Sequence, residues 1–149
     1  ELLRKGRVDE IFFVDLPAQK EREEILRIHL KRRNRHDEFT NENLEEIAEK
    51  AKGFTGAELE EAVKEALFKA FDIPESLSKE HILETIQNTQ PLSQTMSEII
   101  QDTREWARGR AVPASSHEPE NFDENNTNDV PVLKQEIENP FKKTNPNKP

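Results

Sequence analysis

The sequence predicts a mainly α-helical protein, with one buried strand before the helices and a disordered tail after them. Ile11–Val14 is a run of four consecutive apolar residues, which is typical of a strand covered on both faces in a parallel sheet. Apolar residues then recur at helical spacing from about residue 18 to residue 107. Residues 113–149 are rich in proline, asparagine and acidic side chains and show no period, so we expect them to be disordered.

Composition limits the size of the core and the kinds of partner. The chain has 149 residues, of which 32% are hydrophobic and 36% charged, so any core is modest and helix-rich. A net charge of −9 argues against nucleic acid as a partner, because phosphate binding needs a basic surface. No cysteine is present and no apolar run is long enough to span a membrane. We therefore expect a soluble, intracellular protein without a membrane or nucleic-acid partner.

The predicted strand needs neighbouring strands, and the chain offers no convincing second one. We therefore expect the rest of its sheet to lie upstream of Glu1. Two arginines, Arg4 and Arg7, flank Gly6 just before the strand. Taken alone, these few residues favour an ordinary solvated basic turn before a strand over a catalytic role.

Two helices are predicted after Pro17. The first covers Ala18–Arg33, with acidic residues early and basic residues late, an order that complements the helix dipole. Ile25, Ile28 and His29 share one of its faces. Thr40 is the predicted N-cap of the second helix, whose apolar stripe is Leu44, Ile47, Ala48 and Ala51 and which a left-handed Gly53 terminates.

Three further helices are predicted beyond Gly53. The third begins with a capping box of Thr55 and Glu58, and its stripe is Leu59, Ala62, Val63, Ala66, Leu67 and Ala70, adjoined by Phe71. Pro74 breaks it, and Ser78 caps a fourth helix with Ile82, Leu83 and Ile86 inward. Ser93 opens a fifth, which Gly109 ends. We interpret these stripes as packing surfaces rather than cofactor sites.

Two motifs resemble the AAA ATPase family. Leu-Arg-x-Gly-Arg-x-Asp followed by an apolar strand and Leu-Pro is similar to the end of that family's second region of homology, and Gly-Phe-Thr-Gly-Ala-Glu-Leu is similar to its lid. The resemblance covers Leu2 to about Ile86. It implies that residues 1–17 end an α/β ATPase core, 18–90 form the helical lid, 91–112 a C-terminal helix and 113–149 a tail. Residues 90–111 are similar to the C-terminal extension of AAA ATPases encoded in cyanobacteria and plastid genomes.

The resemblance also implies roles for particular residues. Arg4 and Arg7 would be arginine fingers that reach into a neighbouring subunit's ATP site, where guanidinium groups bridge phosphoryl oxygens. Ile25 would pack on the adenine, and His29, four residues later, would contact the ribose or base. Gly56 and Ala57 would bring lid backbone against the nucleotide. Simple helix-face and capping chemistry would also explain His29 and Gly56, and no histidine cluster has the spacing of metal ligands.

No phosphate loop and no strand ending in a magnesium-binding Asp-Glu pair occurs in this sequence. The resemblance therefore implies the C-terminal part of an ATPase that uses ATP and Mg²⁺, while this chain alone is not expected to bind them tightly. It further implies a ring of identical subunits, in that family a hexamer, acting on an unknown protein client in the cytoplasm or the plastid stroma. The alternative is a free-standing helical interaction module that binds no nucleotide.

Overall fold

The structure is a computed structural model that describes residues 10–72 and 76–120, with only the backbone of residue 72. Arg4, Arg7 and most of the tail predicted to be disordered (121–149) lie outside the described residues. A short 3-10 helix, His36–Glu38, lies between α1 and α2. The helices and strands are β1 (Phe12–Phe13), α1 (Gln19–Arg32), α2 (Asn41–Lys50), α3 (Gly56–Asp72), α4 (Lys79–Asn88), α5 (Leu92–Thr95), α6 (Ser97–Ala107) and β2 (Val112–Pro113).

Helix α1 lies within one residue of its predicted bounds at each end. Its N-cap is Ala18, whose backbone N–H donates to the Glu21 carboxylate at 2.8 Å and so gains a partner that a helix start otherwise lacks. The buried face differs in part from the expected one: Arg22, Leu26 and Leu30 are buried, whereas Ile28 is exposed. Because Arg22 is charged and lies on this buried face, it requires hydrogen-bond partners inside the protein.

The caps predicted for α2 and α3 are confirmed. The Asn43 N–H donates to the Thr40 hydroxyl at 3.2 Å, and the Thr40 N–H donates to the Asn43 side chain at 3.1 Å. Gly53 follows α2 with a φ of 85°, the left-handed conformation that glycine adopts without steric cost. At the start of α3, the backbone N–H and the hydroxyl of Thr55 both donate to Glu58 at 2.7 Å.

The core lies between the first four helices, where α1 packs on α2 and α3, and α4 packs on α2 and α3. All the predicted stripe residues of α2, α3 and α4 are buried in it or packed against it. Each fully buried Leu- or Ile-sized side chain stabilises the fold by about 1.5–3 kcal/mol. The core residues are Leu26, Leu30, Phe39, Leu44, Ile47, Ala48, Ala51, Phe54, Leu59, Ala62, Val63, Ala66, Ala70, Leu77, Ile82 and Ile86.

The predicted fifth helix is in fact two helices. Pro91 is the N-cap of α5, Ser93 is buried inside it, and Met96 separates it from α6. The start of α5 is held by a tertiary contact, since the Leu92 N–H donates to the second carboxylate oxygen of Glu58 at 2.7 Å. The stop at Gly109 is confirmed, with a φ of 75°.

The prediction that the chain offers no second strand is wrong. Val112–Pro113 pairs in parallel with Phe12–Phe13, and the N–H groups of Val112 and Ala114 donate to Ile11 and Phe13 at 2.8 Å. Pro113 is accommodated because the ladder uses the N–H groups on either side of it. Two residues that include a proline carry no strand signal in sequence.

In the described part of the chain, one face of the first strand is open, so its expected burial on both faces depends on further strands and stays a prediction. Phe12 is 60% exposed and Val14 is 79% exposed, whereas Ile11 and Phe13 are half-buried. Side chains alternate between the faces of a strand, and the described residues cover only the Ile11 and Phe13 side.

Residues 113–120, expected to belong to the disordered tail, make specific contacts with α1. The Ser115 hydroxyl donates to the Glu21 carboxylate at 2.6 Å. The Glu120 carboxylate accepts from the Gln19 N–H at 3.0 Å and from Arg22 Nη1 at 2.9 Å. Composition predicted disorder here because the segment buries little apolar surface. It is held instead by polar contacts with α1.

Two absences concern the described residues alone. None of the helices among residues 10–72 and 76–120 combines the length and the apolar character that crossing a membrane requires. In the same residues, no three or more histidine, aspartate or glutamate side chains form a group that could hold a metal ion.

Candidate functional site

A cleft of about 380 Å³ lies where the segment after β1, the first turns of α1 and the start of α3 meet. Its volume is within the range of about 300–1,000 Å³ that small-molecule sites occupy. Residues 114–115, which follow β2, close one side of it. The lining residues are Val14, Asp15, Pro17, Glu21, Ile25, Gly56, Ala114 and Ser115.

Two residues predicted to contact a nucleotide, Ile25 and Gly56, meet in this cleft. A Cβ atom built on Gly56 would lie 3.7 Å from Cδ1 of Ile25, which is ordinary van der Waals contact. Ile25 is half-buried and packs against the core, so its exposed edge is held in place. The missing side chain of Gly56 leaves backbone at the wall of the cleft, where a flat ligand can approach closely.

His29 lies one turn farther along α1 and is not among the residues that line the cleft. Its side chain is 11% exposed, and Nδ1 lies 3.8 Å from Oε1 of Glu60 on α3. Within the part of the chain that the structure describes, Nδ1 has no hydrogen-bond partner. Burial lowers the pKa of His29 below its ordinary value, and the positive charges of Arg33 and Arg32 act in the same direction, while Glu60 opposes them. The imidazole is therefore neutral at neutral pH.

Of the remaining predicted site residues, the structure describes only Ala57. The side chain of Ala57 is exposed and does not line the cleft. Arg4 and Arg7 fall in residues 1–9, outside the part of the chain that the structure describes.

The polar part of the cleft consists of Glu21, Asp15 and Ser115. Burial raises the pKa of Glu21, but hydrogen bonds from the Ser115 hydroxyl and the Ala18 N–H outweigh it, with His117 nearby, so the pKa is lowered overall. Glu21 is therefore ionised at neutral pH and can only accept hydrogen bonds.

Sequence reasoning missed two arginines that hold the walls of the cleft. Arg22 is 1% exposed; its Nε donates to the carbonyl of Ala48 at 2.8 Å, and its Nη1 donates to the carbonyl of Pro17 at 2.7 Å. Arg22 lies four and eight residues before the buried Leu26 and Leu30, so helical periodicity places it on the same buried face and could have predicted its burial. On α6, Arg104 pairs with Asp15, which no local pattern indicates.

Comparisons with known proteins agree with the fold. Residues 41–84 match the family model of the AAA+ lid domain. The chain is 36% identical over 116 residues to the AAA domain-containing protein ycf46 of Guillardia theta, which covers 78% of this chain and 23% of that protein. Identity to ycf46 of Pyropia yezoensis is 40% over 116 residues, covering 77% and 23%. Identity to the ATP-dependent zinc metalloprotease FtsH 2 of Petrotoga mobilis is 37% over 87 residues, covering 58% and 13%.

The helical fold and the family match define the class: the chain carries the AAA+ lid domain of an AAA-family protein. Within that family it resembles the ycf46 proteins of plastid genomes, as the motifs of its C-terminal part predicted. The chain spans less than a quarter of the length of these relatives. No solved structure matches it.

The family implies ATP and Mg²⁺, and the cleft fits one end of such a ligand. An apolar edge at Ile25, bare backbone at Gly56 and carboxylate acceptors suit a nucleoside, which offers a flat ring with N–H and O–H donors. The two carboxylates of Asp15 and Glu21, with no cation among the lining residues, do not suit a triphosphate. The described residues thus fit the base and sugar, while the phosphates and the metal need other groups.

Proposed function

We propose that this chain supplies the lid side of an ATP site in an AAA ATPase that works as a ring of identical subunits. Ile25 and Gly56 hold the adenine. His29 lies one helical turn beyond Ile25, outside the lining of the cleft, and its contact with the ribose or base edge is part of the proposal. When bound, ATP would supply the phosphoryl group, and Mg²⁺ would supply positive charge that neutralises the charge developing on the phosphate oxygens. The phosphate loop and magnesium ligands belong to the upstream part of the parent protein.

The observation that carries this proposal is the meeting of Ile25 and Gly56 across α1 and α3. The two residues are 31 positions apart and come from different helices, so their juxtaposition is a property of the fold. It places an apolar side chain and a bare backbone at one cleft, as recognition of a planar base requires.

Arg4 and Arg7 complete the proposal as arginine fingers acting on the neighbouring subunit. Both arginines precede the strand that leads into α1. We propose that this position keeps them away from the nucleotide bound by their own lid, so that they act on the nucleotide of the neighbouring subunit. A guanidinium that stabilises the developing charge is typically worth about 10³–10⁵ in rate. The ycf46 relatives are plastid-encoded, which supports the plastid stroma as the place of action, with the cytoplasm as the alternative.

Nucleoside titration of the 149-residue chain tests the cleft. Adenosine at millimolar concentration should shift the NMR signals of Ile25 and Gly56, and Gly56→Val should weaken binding by filling the cleft. Ile28→Val, on the exposed face of the same helix, is the matched control and should change nothing. Calorimetry with ATP should find a Kd above about 100 µM, because the phosphate contacts are missing. Absence of any adenosine response at Ile25 and Gly56 would refute the assignment.

Subunit mixing tests the fingers in the parent protein. An Arg7→Ala subunit keeps its own phosphate site, and a subunit without the phosphate-loop lysine keeps its fingers. The two inactive proteins should recover partial ATP hydrolysis when they share a ring. No recovery in rings shown to be mixed would exclude action across the subunit boundary.

A second function is favoured by a separate surface. Phe68 is 73% exposed and Phe71 is 87% exposed on α3, beside a groove of about 480 Å³ whose rim carries Arg33, Arg35 and Lys64. Exposed aromatic side chains with a polar rim are typical of protein-binding surfaces. A helical interaction module that binds no nucleotide would use this groove and would be indifferent to substitutions at Gly56.

A further inference from the structure

We infer that the C-terminal segment Val112–Ser115 is a wall of the nucleoside cleft and that Glu21, oriented by Ser115, accepts a hydrogen bond from the 6-amino group of adenine. This inference rests on the proposed function, since it assigns the specificity of the same cleft. It makes the segment after α6 part of the nucleotide site, although it is remote from the lid in sequence.

The first argument is position. Ala114 and Ser115 line the same cleft as Ile25 and Gly56, and they directly follow β2, which is paired with β1. The Ala114 N–H donates to Phe13 at 2.8 Å, so the residue at the wall is itself a rung of the strand pair. A wall held by backbone hydrogen bonds on one side and by a side-chain bond to α1 on the other is preorganised for a ligand.

The second argument is the hydrogen-bonding state of Glu21. One carboxylate oxygen accepts from the Ala18 N–H at 2.8 Å, and the other accepts from the Ser115 hydroxyl at 2.6 Å. The Ser115 oxygen in turn accepts from the His117 N–H at 3.0 Å, which fixes the direction of the hydroxyl proton. Both oxygens are oriented, and each keeps a further lone pair for a ligand donor.

The third argument concerns which base the ionised carboxylate of Glu21 can recognise. An ionised carboxylate accepts from an amino group and repels a carbonyl oxygen, and the 6-position carries the amino group in adenine but a carbonyl in guanine. Guanine can offer a pair of adjacent N–H donors to a carboxylate, but that arrangement needs both oxygens free on the same side. Because the two oxygens of Glu21 already have separate protein partners, a single donor such as the adenine amino group fits better.

The test compares adenosine with purine riboside, which has the same ring and sugar but lacks the 6-amino group, on the 149-residue chain. We expect adenosine to shift the NMR signals of Ile25, Ala114 and Ser115 together and to bind about ten-fold more tightly than purine riboside, as loss of a hydrogen bond to a charged group predicts. Glu21→Gln, which retains a side-chain oxygen for the Ala18 N–H, should reduce that ratio to about two-fold.

Substitutions at Ser115 separate orientation from packing. Ser115→Ala should weaken adenosine binding about five-fold, whereas Ser115→Thr should retain most of it because the hydroxyl remains. Ser116→Ala, at the exposed neighbouring position, is the matched control and should have no effect. Slow amide exchange at Val112 and Ala114 in each variant verifies that the strand pair is intact.

The outcomes distinguish this inference from the proposed function. If adenosine perturbs Ile25 and Gly56 but not Ala114 and Ser115, or if purine riboside binds as well as adenosine, the inference is wrong and the lid assignment stands. If neither nucleoside perturbs Ile25 or Gly56, the proposed function fails and this inference fails with it.

Discussion

Arg104 on α6 forms an ion pair with Asp15, which lies in the segment between β1 and α1. Its Nε donates to the two carboxylate oxygens at 2.8 and 3.0 Å. The side chains are only 15% and 12% exposed, so the pair is largely shielded from water. Asp15 also accepts from the Leu16 N–H at 2.7 Å. Helix α6 is thus bonded directly to the segment that joins the strand to the lid, at the edge of the cleft lined by Ile25 and Gly56.

Breaking this pair should destabilise the chain. Arg104→Met keeps the bulk of the side chain but leaves the Asp15 carboxylate without its cation, and we expect the free energy of unfolding to fall by about 2 kcal/mol. Urea denaturation followed by the fluorescence of Trp106, the single tryptophan, measures it. Arg108→Met, an exposed arginine just beyond α6, should cost less than about 0.5 kcal/mol. Equal effects in the two variants would show that the ion pair contributes nothing specific.

Arg22→Met should be the more damaging arginine substitution. Arg22 bonds the carbonyls of Pro17 and Ala48 and the carboxylate of Glu120, all of which lose a charged donor. We expect a loss of about 3 kcal/mol in the free energy of unfolding, since the three acceptors lie in a largely buried setting. Arg27→Met removes an arginine of the same helix with an exposed ion pair and should change stability by less than about 0.5 kcal/mol. A smaller loss for Arg22→Met than for Arg27→Met would contradict the contact pattern.

The histidine at position 29 should give the fold a pH dependence near neutrality. Burial lowers the pKa of His29 in the folded state below its ordinary value of 6.5, so the unfolded chain binds more protons between the two values. The stability contributed by the neutral imidazole is therefore complete above pH 6.5 and is lost as the pH falls through the folded-state pKa.

Two measurements check this dependence. NMR titration of the His29 ring should give a pKa below 6.5, and His29→Gln should remove part of the decline in unfolding free energy between pH 7.5 and about pH 5.5. A ring pKa above 6.5 would mean that Glu60, rather than burial, controls the group.

The strand Phe12–Phe13 should make the isolated chain prone to self-association. Phe12 and Val14 are exposed apolar side chains beside a strand whose described pairing is on one edge only. Phe12→Lys should lower the fraction of oligomer measured by sedimentation at high concentration, because charge on an edge strand opposes pairing between chains. Phe68→Lys is an informative comparison, since it removes a similarly exposed aromatic residue from a helix. If the chain is monomeric and Phe12→Lys has no effect, the strand is not a site of association.

The helices of the lid were predictable because their signals are local. The helix ends are marked by residues whose role depends only on their near neighbours in sequence: Thr40, Gly53, Thr55 and Ser78. At a helix start, a side chain accepts from a free backbone N–H group, and after a helix end, glycine tolerates a positive φ. The apolar periods of α2, α3 and α4 identified most of the core. The motif before the first strand and the Gly-Phe-Thr-Gly-Ala-Glu-Leu motif of the lid together indicated the family.

The helical lid, its caps, its core stripes and its family were therefore predictable from local patterns of residues. The closure of the cleft depends instead on tertiary contacts. These are the pairing of Val112–Pro113 with Phe12–Phe13, the Arg104–Asp15 ion pair and the Ser115–Glu21 hydrogen bond. Each of these joins residues about 90 or more positions apart. They depend on hydrogen bonds and charge pairs whose partners are brought together only when the core is packed, so no local pattern of hydrophobicity or propensity records them.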